Sequence, residues 1–375
     1  MFLPGKKNKL KFTVLQQDFL PALTAVARSS GAHTQLPVLE NILLATEGTK
    51  LKIAATNLEI GVIKYLSVEV LEAGELTIPA KTIVELISGL KPAKVTFESS
   101  GESLVISVDK FKATINGISA AEFPVIPVSG SEGVVFKKET LQQSGQILFA
   151  AAVDEGRPTL TGILTQTSGD KLDFVATDGF RLAHRQVTLE TAETKFKSII
   201  PRRTFEEILR IIGEEETDEI KIAIAENQNQ IIFDFGSTVV SSRLIEGSFP
   251  AWEKIIPTQI VARAMVDKEE LLKAIKLAAV FAKSEANVVI LKTSAGKITL
   301  ESSAKELGSQ QNEIEGEVSG EELQVAFNTK FLQDAVGASS TSQLTIEFSG
   351  PLSPTLIKPI GVEGLQYIVM PVRLN

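Results

Sequence analysis

The chain has no cysteine and only two histidines, His33 and His184, in 375 residues. The first absence leaves nothing for disulfides or a thiolate metal site, and the second means that any zinc site would need carboxylates to complete it. No apolar run approaches the ~20 residues needed to span a bilayer. The opening residues MFLPGKKNKL also lack the apolar core and small-residue cleavage site of a secretory signal. A cytoplasmic location without a membrane partner is the expectation, with residues 1–9 a basic, disordered lead-in. Catalytic signatures are missing as well: there is no GxxxxGK[ST] loop, no GxGxxG after a strand, no HExxH and no GxSxG elbow. No metal, cofactor or turnover is expected. Positive charge is in deficit, 38 Lys and Arg against 46 Asp and Glu, for a net −8. Taken as an average, that argues against a partner as acidic as nucleic acid.

What is present is an ordinary soluble composition, 43 % hydrophobic and 22 % charged, on a chain too long for one core, so two or three domains are expected. Laying the chain against itself shows why. LKFTVLQQDFLPALTAVA from Leu10, GVVFKKETLQQSGQILFAAA from Gly133 and AMVDKEELLKAIKLAAVF from Ala264 each read as a short strand, a polar start and an amphipathic helix. A second triplet follows at GELTIPAKTIVELISGL, FKSIIPRRTFEEILRIIG and ELQVAFNTKFLQDAVGA, where Ile83, Phe205 and Leu332 match one another, as do Ile87, Leu209 and Val336. Between the helices of the first two copies, LPVLENILLATEGTKLKIAATNLEIG parallels RPTLTGILTQTSGDKLDFVATDGFRLA: two alternating strands around a tight turn, ending in Ala-Thr-Asn or Ala-Thr-Asp. The third copy keeps the outline and loses the Ala-Thr element. Three similar α+β domains are predicted, residues 10–128, 129–257 and 258–375, each with two helices on one face of antiparallel sheets.

If the helices share a face, their own charge matters. The six predicted helical segments, Gln16 to Ser30, Pro79 to Lys94, Lys137 to Ala150, Ser198 to Gly213, Asp267 to Ser284 and Phe327 to Ser339, together carry +5 and leave −13 on the rest. That distribution suits a sequence-blind grip on phosphates, although lysine-rich surface helices also serve solubility.

The stretch FVATDGFRLAHR, Phe174 to Arg185, gathers carboxylate, glycine, arginine and histidine within a dozen residues. A hydrolase could draw on Asp178, Arg181 and His184, but it would call for a glycine-rich or metal-bearing loop nearby and gives no reason for threefold repetition. Asp178 reads instead as the cap of a turn after a strand, and His184 as a surface residue. A repeat-built adaptor that binds peptides without DNA is a further alternative.

The repeats, together with RPTLTGIL, ATDGFRLA, LIEGSFPAWEKIIP and the terminal YIVMPVRLN, resemble the bacterial DNA polymerase III beta subunit family over Leu10 to Asn375. The resemblance implies the DNA clamp fold, a head-to-tail homodimer closing into a ring with twelve helices around a central hole. It implies a non-catalytic processivity factor that encircles double-stranded DNA without reading sequence, is placed there by a separate clamp loader, and tethers the polymerase III alpha subunit and other clamp-binding proteins. It implies a pocket for short partner peptides at Leu160, Thr177, Gly179, Phe180, Arg181, Leu182, Pro257, Ile368, Val369, Met370, Pro371, Val372 and Arg373, with arginine at the rim. DNA-facing positions follow at Arg28, Lys81, Arg202, Arg203 and Arg210. His33 stands in a loop where the family often places an arginine, a departure that bears on the grip of that loop. At the ring interface, the resemblance implies Phe111 on an edge strand meeting Val280 and Phe281; the competing reading makes all three core residues.

Overall fold

The computed structural model describes residues 9–31, 35–128, 133–190, 196–225, 229–283 and 287–374. His33 lies outside the described residues. Strands dominate, and every pairing among them is antiparallel. The chain groups into two compact units, Met1–Glu139 with Glu207–Leu244, and Thr140–Glu206 with Ile245–Asn375.

The first unit holds two sheets. A five-stranded sheet runs Glu69–Glu72, Lys11–Leu15, Lys94–Ser100, Ser103–Val108 and Phe111–Asn116 in spatial order. Its inner face is aromatic: Phe12 stacks on Phe97 with centroids 4.8 Å apart, and Phe19 meets both rings edge-on. An eight-stranded sheet runs Val134–Lys137, Glu219–Ala225, Gln230–Asp234, Thr238–Arg243, Ile60–Ser67, Lys50–Thr56, Asn41–Glu47 and Glu75–Pro79. The first and second repeats meet in this sheet, where Val240 pairs with Val62. One half-buried ion pair crosses the same join, Lys64 Nζ to Glu215 Oε1 at 2.7 Å, with the Ser237 hydroxyl donating to the other carboxylate oxygen.

The second unit carries one continuous twelve-stranded sheet. Its order is Lys197–Pro201, Gly162–Ser168, Lys171–Thr177, Arg181–Thr188, Leu365–Val369, Thr355–Pro359, Gln343–Phe348, Ala262–Asp267, Gly308–Gly320, Lys297–Ala304, Val288–Ser294 and Gln324–Asn328. The thirteen-residue strand Gly308–Gly320 changes partner at Gly316, pairing first with Lys297–Ala304 and then with Ala262–Asp267. A Cβ at Gly316 would stand 2.6 Å from the Met265 carbonyl oxygen, so the close approach needs glycine.

Among the described residues six α-helices begin within the segments the repeats mark, α1 Gln16–Ala27, α2 Ala80–Ser88, α3 Lys138–Gln142, α4 Arg202–Glu214, α5 Lys268–Ala282 and α6 Thr329–Gly337, but α2 ends six residues before Lys94, which opens a strand, and Ser198 to Pro201 belong to a strand and not to α4. α1 packs on α2 and α5 on α6, as expected. The matched apolar positions point inward, with Ile83, Ile87, Phe205, Leu332 and Val336 buried. Each helix follows directly on a strand, and two starts are capped by side chains: Asp267 accepts from Glu270 N, and Asn328 from Lys330 N and Phe331 N.

α3 departs from the expected fourteen-residue helix: it spans five residues and then gives way to 3-10 turns at Gln143–Gln146 and Leu148–Ala150. Gly145 stands where the other two copies bury Leu23 and Ile275, which removes both helix propensity and the anchoring side chain. The Ser144 hydroxyl donates to the Leu141 carbonyl just before it, a local bond that competes with continuing the helix.

Candidate functional site

The Ala-Thr-Asp-Gly turn leads from Lys171–Thr177 into Arg181–Thr188, and its own side chains shape it. Asp178 Oδ1 accepts from Phe180 N (2.9 Å) and Arg181 N (3.0 Å), while the Thr177 hydroxyl donates to the Arg181 carbonyl at 2.6 Å. Gly179 sits at φ +91°, where a side chain is strained, and a Cβ there would meet Arg157 Nη1 at 2.8 Å. Arg157 in turn donates to the Asp178 carbonyl at 2.7 Å. Asp178 is thus the cap the sequence indicates.

The turn leaves Phe180 standing out, 56 % exposed, with its ring stacked on Phe331 of α6 at 5.9 Å and 17°. The C-terminal strand supplies the adjoining wall. Arg181 pairs with Val369 and Leu182 with Ile368, and beyond the strand Met370 N donates to the Phe180 carbonyl and Val372 N to the Ala326 carbonyl. Met370 is 36 % exposed beside Phe180, and Arg373 is exposed. Leu182 and Ile368 form the buried floor with Leu164, Val175, Trp252 and Leu356, and Ile255 and Ile256 pack against it. Thr177, Leu160 and Val369 are buried, Pro371, Val372 and Pro257 half-buried, and Gly179 exposed. The expected pocket residues therefore divide into an exposed apolar rim and the core that supports it. Phe331, absent from the sequence reading, belongs to the rim; only its position one turn into a helix hinted at it.

Two expectations are corrected. Arg181 is not at a rim: its side chain is buried, and its guanidinium is shared among Asp178 Oδ2 (3.0 Å), Asp334 Oδ2 (2.5 Å) and the Phe149 carbonyl (2.8 Å), with the rings of Phe149 and Phe331 over it. His184 is not on the surface: it is 6 % exposed, its Nε2 lies 2.8 Å from Asp173 Oδ1, its Nδ1 3.0 Å from Gln366 Nε2, and its ring tilts against Trp252. Both residues lie on a strand whose second neighbour comes from some 180 residues further along the chain, and that neighbour buries them.

Burial works against the charge on Asp173, but hydrogen bonds from His184 and Gln186 outweigh it and hold the carboxyl below its ordinary range. Its contribution to stability is therefore complete above the unfolded value near 3.8 and lost as pH falls through the lower folded value. Asp173→Asn should cost about 1–3 kcal/mol at neutral pH, with the deficit shrinking below pH ~4. Thermal melts followed on the fluorescence of the single tryptophan test this; a deficit that stays constant into acid would contradict it.

Of the expected DNA-facing residues, Arg28, Lys81 and Arg203 are exposed, Lys81 with 88 % of its side chain open to solvent. Arg202 bonds Glu206 at 2.8 Å on its own helix. Arg210 is largely spent, on Glu207, on Glu214 at 2.8 Å and on the Ala25 carbonyl. At the expected interface positions Phe111 is 42 % and Val280 57 % exposed, and Phe281 is half-buried, so the core reading fails for the first two.

The first repeat has a counterpart groove, lined by Thr56, Leu58, Glu59, Gly61 and Pro124 to Pro127. There the chain's own Ile126 lies against Gly61, which stands 121 positions before Leu182.

An apolar rim over a firm floor, with the neighbouring acid, base and histidine all engaged in holding the fold, defines a docking scaffold and not a catalyst. The His184 nitrogens face Asp173 and Gln366, while Arg181 is bonded to Asp178, Asp334 and the Phe149 carbonyl, so the histidine is committed to partners other than Asp178 and Arg181. Family models for the N-terminal, central and C-terminal domains of the DNA polymerase III beta subunit match residues 10–127, 136–251 and 253–373. The chain belongs to the DNA polymerase III beta subunit family, the sliding clamps, built as three domains of antiparallel sheets and non-catalytic. A beta sliding clamp of Synechococcus elongatus is 31 % identical over 98 % of this chain and all of its own length. Crystal structures of the Pseudomonas aeruginosa beta subunit bound to griselimycin and of the Caulobacter crescentus clamp each superpose with a TM-score of 0.92, at 26 % and 28 % identity. They cover 97 % and 98 % of this chain and the whole of theirs. Among the described residues no helix is long and apolar enough to cross a membrane.

Proposed function

We propose that two copies of this chain close head to tail into a cytoplasmic ring that encircles duplex DNA without reading its sequence. A clamp loader places the ring on DNA, and the Phe180–Met370 groove tethers the polymerase III alpha subunit and other clamp-binding proteins. The domains of each copy are residues 10–128, 129–257 and 258–375. The observation that carries the reading is the pairing of an apolar peptide-sized rim with an open sheet edge. Among the described residues, Phe111–Asn116 is hydrogen-bonded on one side only and begins with an exposed phenylalanine. Such an edge calls for a covering strand. Encirclement makes strong contact unnecessary, since a topological link holds while phosphates are met loosely through long side chains such as Arg28, Lys81, Arg202 and Arg203.

The test loads the chain onto nicked circular DNA with a clamp loader and ATP, then linearises the circle. Retention on circles and rapid loss from linear ends is expected; equal retention on both would refute the ring. Arg202→Glu with Arg203→Glu should weaken loader-independent DNA binding and lower its log–log salt slope by about 2. An unchanged slope would remove those residues from the DNA-facing set and favour an adaptor that binds peptides alone.

A further inference from the structure

Among the described residues, the arginines that are buried or half-buried are Arg181, Arg185, Arg202 and Arg210. Three of them meet carboxylates: Arg181 with Asp178 and Asp334, Arg202 with Glu206, and Arg210 with Glu207 and Glu214. Arg185 does not. Gln143 Oε1 accepts from its Nε at 2.7 Å and also from Nη2, and the Glu363 carbonyl accepts from Nη1 at 2.5 Å. Neither Glu139 on α3 nor the side chain of Glu363 forms an ion pair with it. Burial holds the guanidinium below its ordinary range, opposed only by the Tyr367 hydroxyl, which burial itself pushes up and keeps protonated.

The strand places this cation on the helix-bearing face. Arg185 pairs with Phe174, and opposite residues of an antiparallel pair share a face. The Phe174 ring meets Phe205 of α4 edge-on, and Arg181, four positions earlier on the same strand, reaches Asp334 of α6. Gln143 is the first residue past the short α3, in the 3-10 turn that stands where the expected helix would continue. That segment lays an amide on the guanidinium, which fixes its position and leaves its charge intact. A half-buried charge is costly unless an anion meets it. Each nitrogen of Arg185 spends one N–H on a neutral oxygen, so Nη1 and Nη2 each keep a second donor. Phosphate oxygens suit such a pair of donors.

We propose that Arg185 is a further phosphate-contacting residue for duplex DNA, and that Gln143 positions its guanidinium without neutralising it. This rests on the ring reading above, in which the helix-bearing face meets DNA. Arg185 escapes a charge tally taken over the helical segments because it belongs to a strand.

The experiment measures loader-independent binding of a labelled duplex by fluorescence anisotropy between about 50 and 200 mM salt, using the full-length chain and the variants Arg185→Gln, Arg185→Lys and Gln143→Glu. Arg185→Gln should weaken binding about fivefold at the lowest salt and lower the log–log salt slope by about 0.9. Gln143→Glu supplies the missing counter-ion, so it should lower the slope by a similar amount while the melting temperature holds or rises. Arg185→Lys keeps the charge without the planar fork and should recover most of the slope. A purely structural arginine predicts the opposite for Gln143→Glu, a fold at least as stable with DNA binding untouched, and that result would overturn the proposal even where Arg185→Gln fails to fold. Calorimetry with inorganic phosphate separates the remaining source of anion: phosphate binding lost in Arg185→Gln with an unchanged DNA slope would make this a free-anion site and overturn the DNA assignment. Absence of any salt-dependent DNA binding by the unaltered chain would instead overturn the DNA-facing reading, and the role of Arg185 with it.

Discussion

Phe111→Asp is expected to leave a folded chain that sediments at 40.4 kDa, where the proposed ring predicts a dimer of twice that mass for the unaltered chain. Phe111 opens the outermost strand of the five-stranded sheet, pairs with Val108 on one side and leaves 42 % of its surface open. An aspartate there removes little from the monomer, since exposed positions tolerate substitution within about ±0.5 kcal/mol. At a covered edge the same change is severe. It forfeits about 2–3 kcal/mol from burying an aromatic ring and strands a carboxylate against apolar surface such as Val280, which is 57 % exposed. The two effects together predict at least ~100-fold weaker association. Sedimentation equilibrium near 1 μM and retention on circular DNA should fail together. A variant that remains dimeric would place the ring interface elsewhere, and one that loses its thermal transition would return Phe111 to the fold.

Phe180→Ala combined with Met370→Ala should abolish most peptide binding while leaving melting temperature and association unchanged. The two side chains are 56 % and 36 % exposed, and Met370 N is tied by its backbone to the Phe180 carbonyl, so truncation alters the rim and not the strand. Each would be covered by a hydrophobic ligand, and together they represent about 3 kcal/mol, or about 100-fold in affinity. Methionine is suited to this task because its thioether adapts to partners of different shape. Calorimetric affinity within threefold of the unaltered chain would mean that peptides dock elsewhere.

Much of this protein is legible in its sequence because its elements are local. The three-copy pattern put α1, α2, α4, α5 and α6 where they stand, since a 3.6-residue apolar period reports directly on which face of a helix is buried. The Asp178 cap followed from residue type, because its partners are the backbone amides two and three residues further on. Where the reading failed, the deciding residue was distant or the failure was one of packing. α3 stops short because Gly145 has no side chain to bury against the sheet, a loss that only the other copies' Leu23 and Ile275 make visible. Arg210 reads as a free cation along the chain, yet its own helix and Ala25, 185 positions earlier, consume it.

The sequence by itself determined the number of repeats, the order of strand and helix in each, and the turn that presents Phe180. Periodicity, capping and turn chemistry act over a few residues, so they survive being read along a line. Only the tertiary structure decided what the polar residues of that turn do. His184 is a buried partner of Asp173 because Leu365–Val369 pairs beside it, and Arg181 supports the groove because α6 brings Asp334 to its guanidinium. The physical reason is the same in both cases. Whether a charged group faces solvent, a ligand or a counter-ion depends on desolvation and on which groups long-range strand pairing brings within hydrogen-bond reach, and neither is encoded in the residue's immediate neighbours.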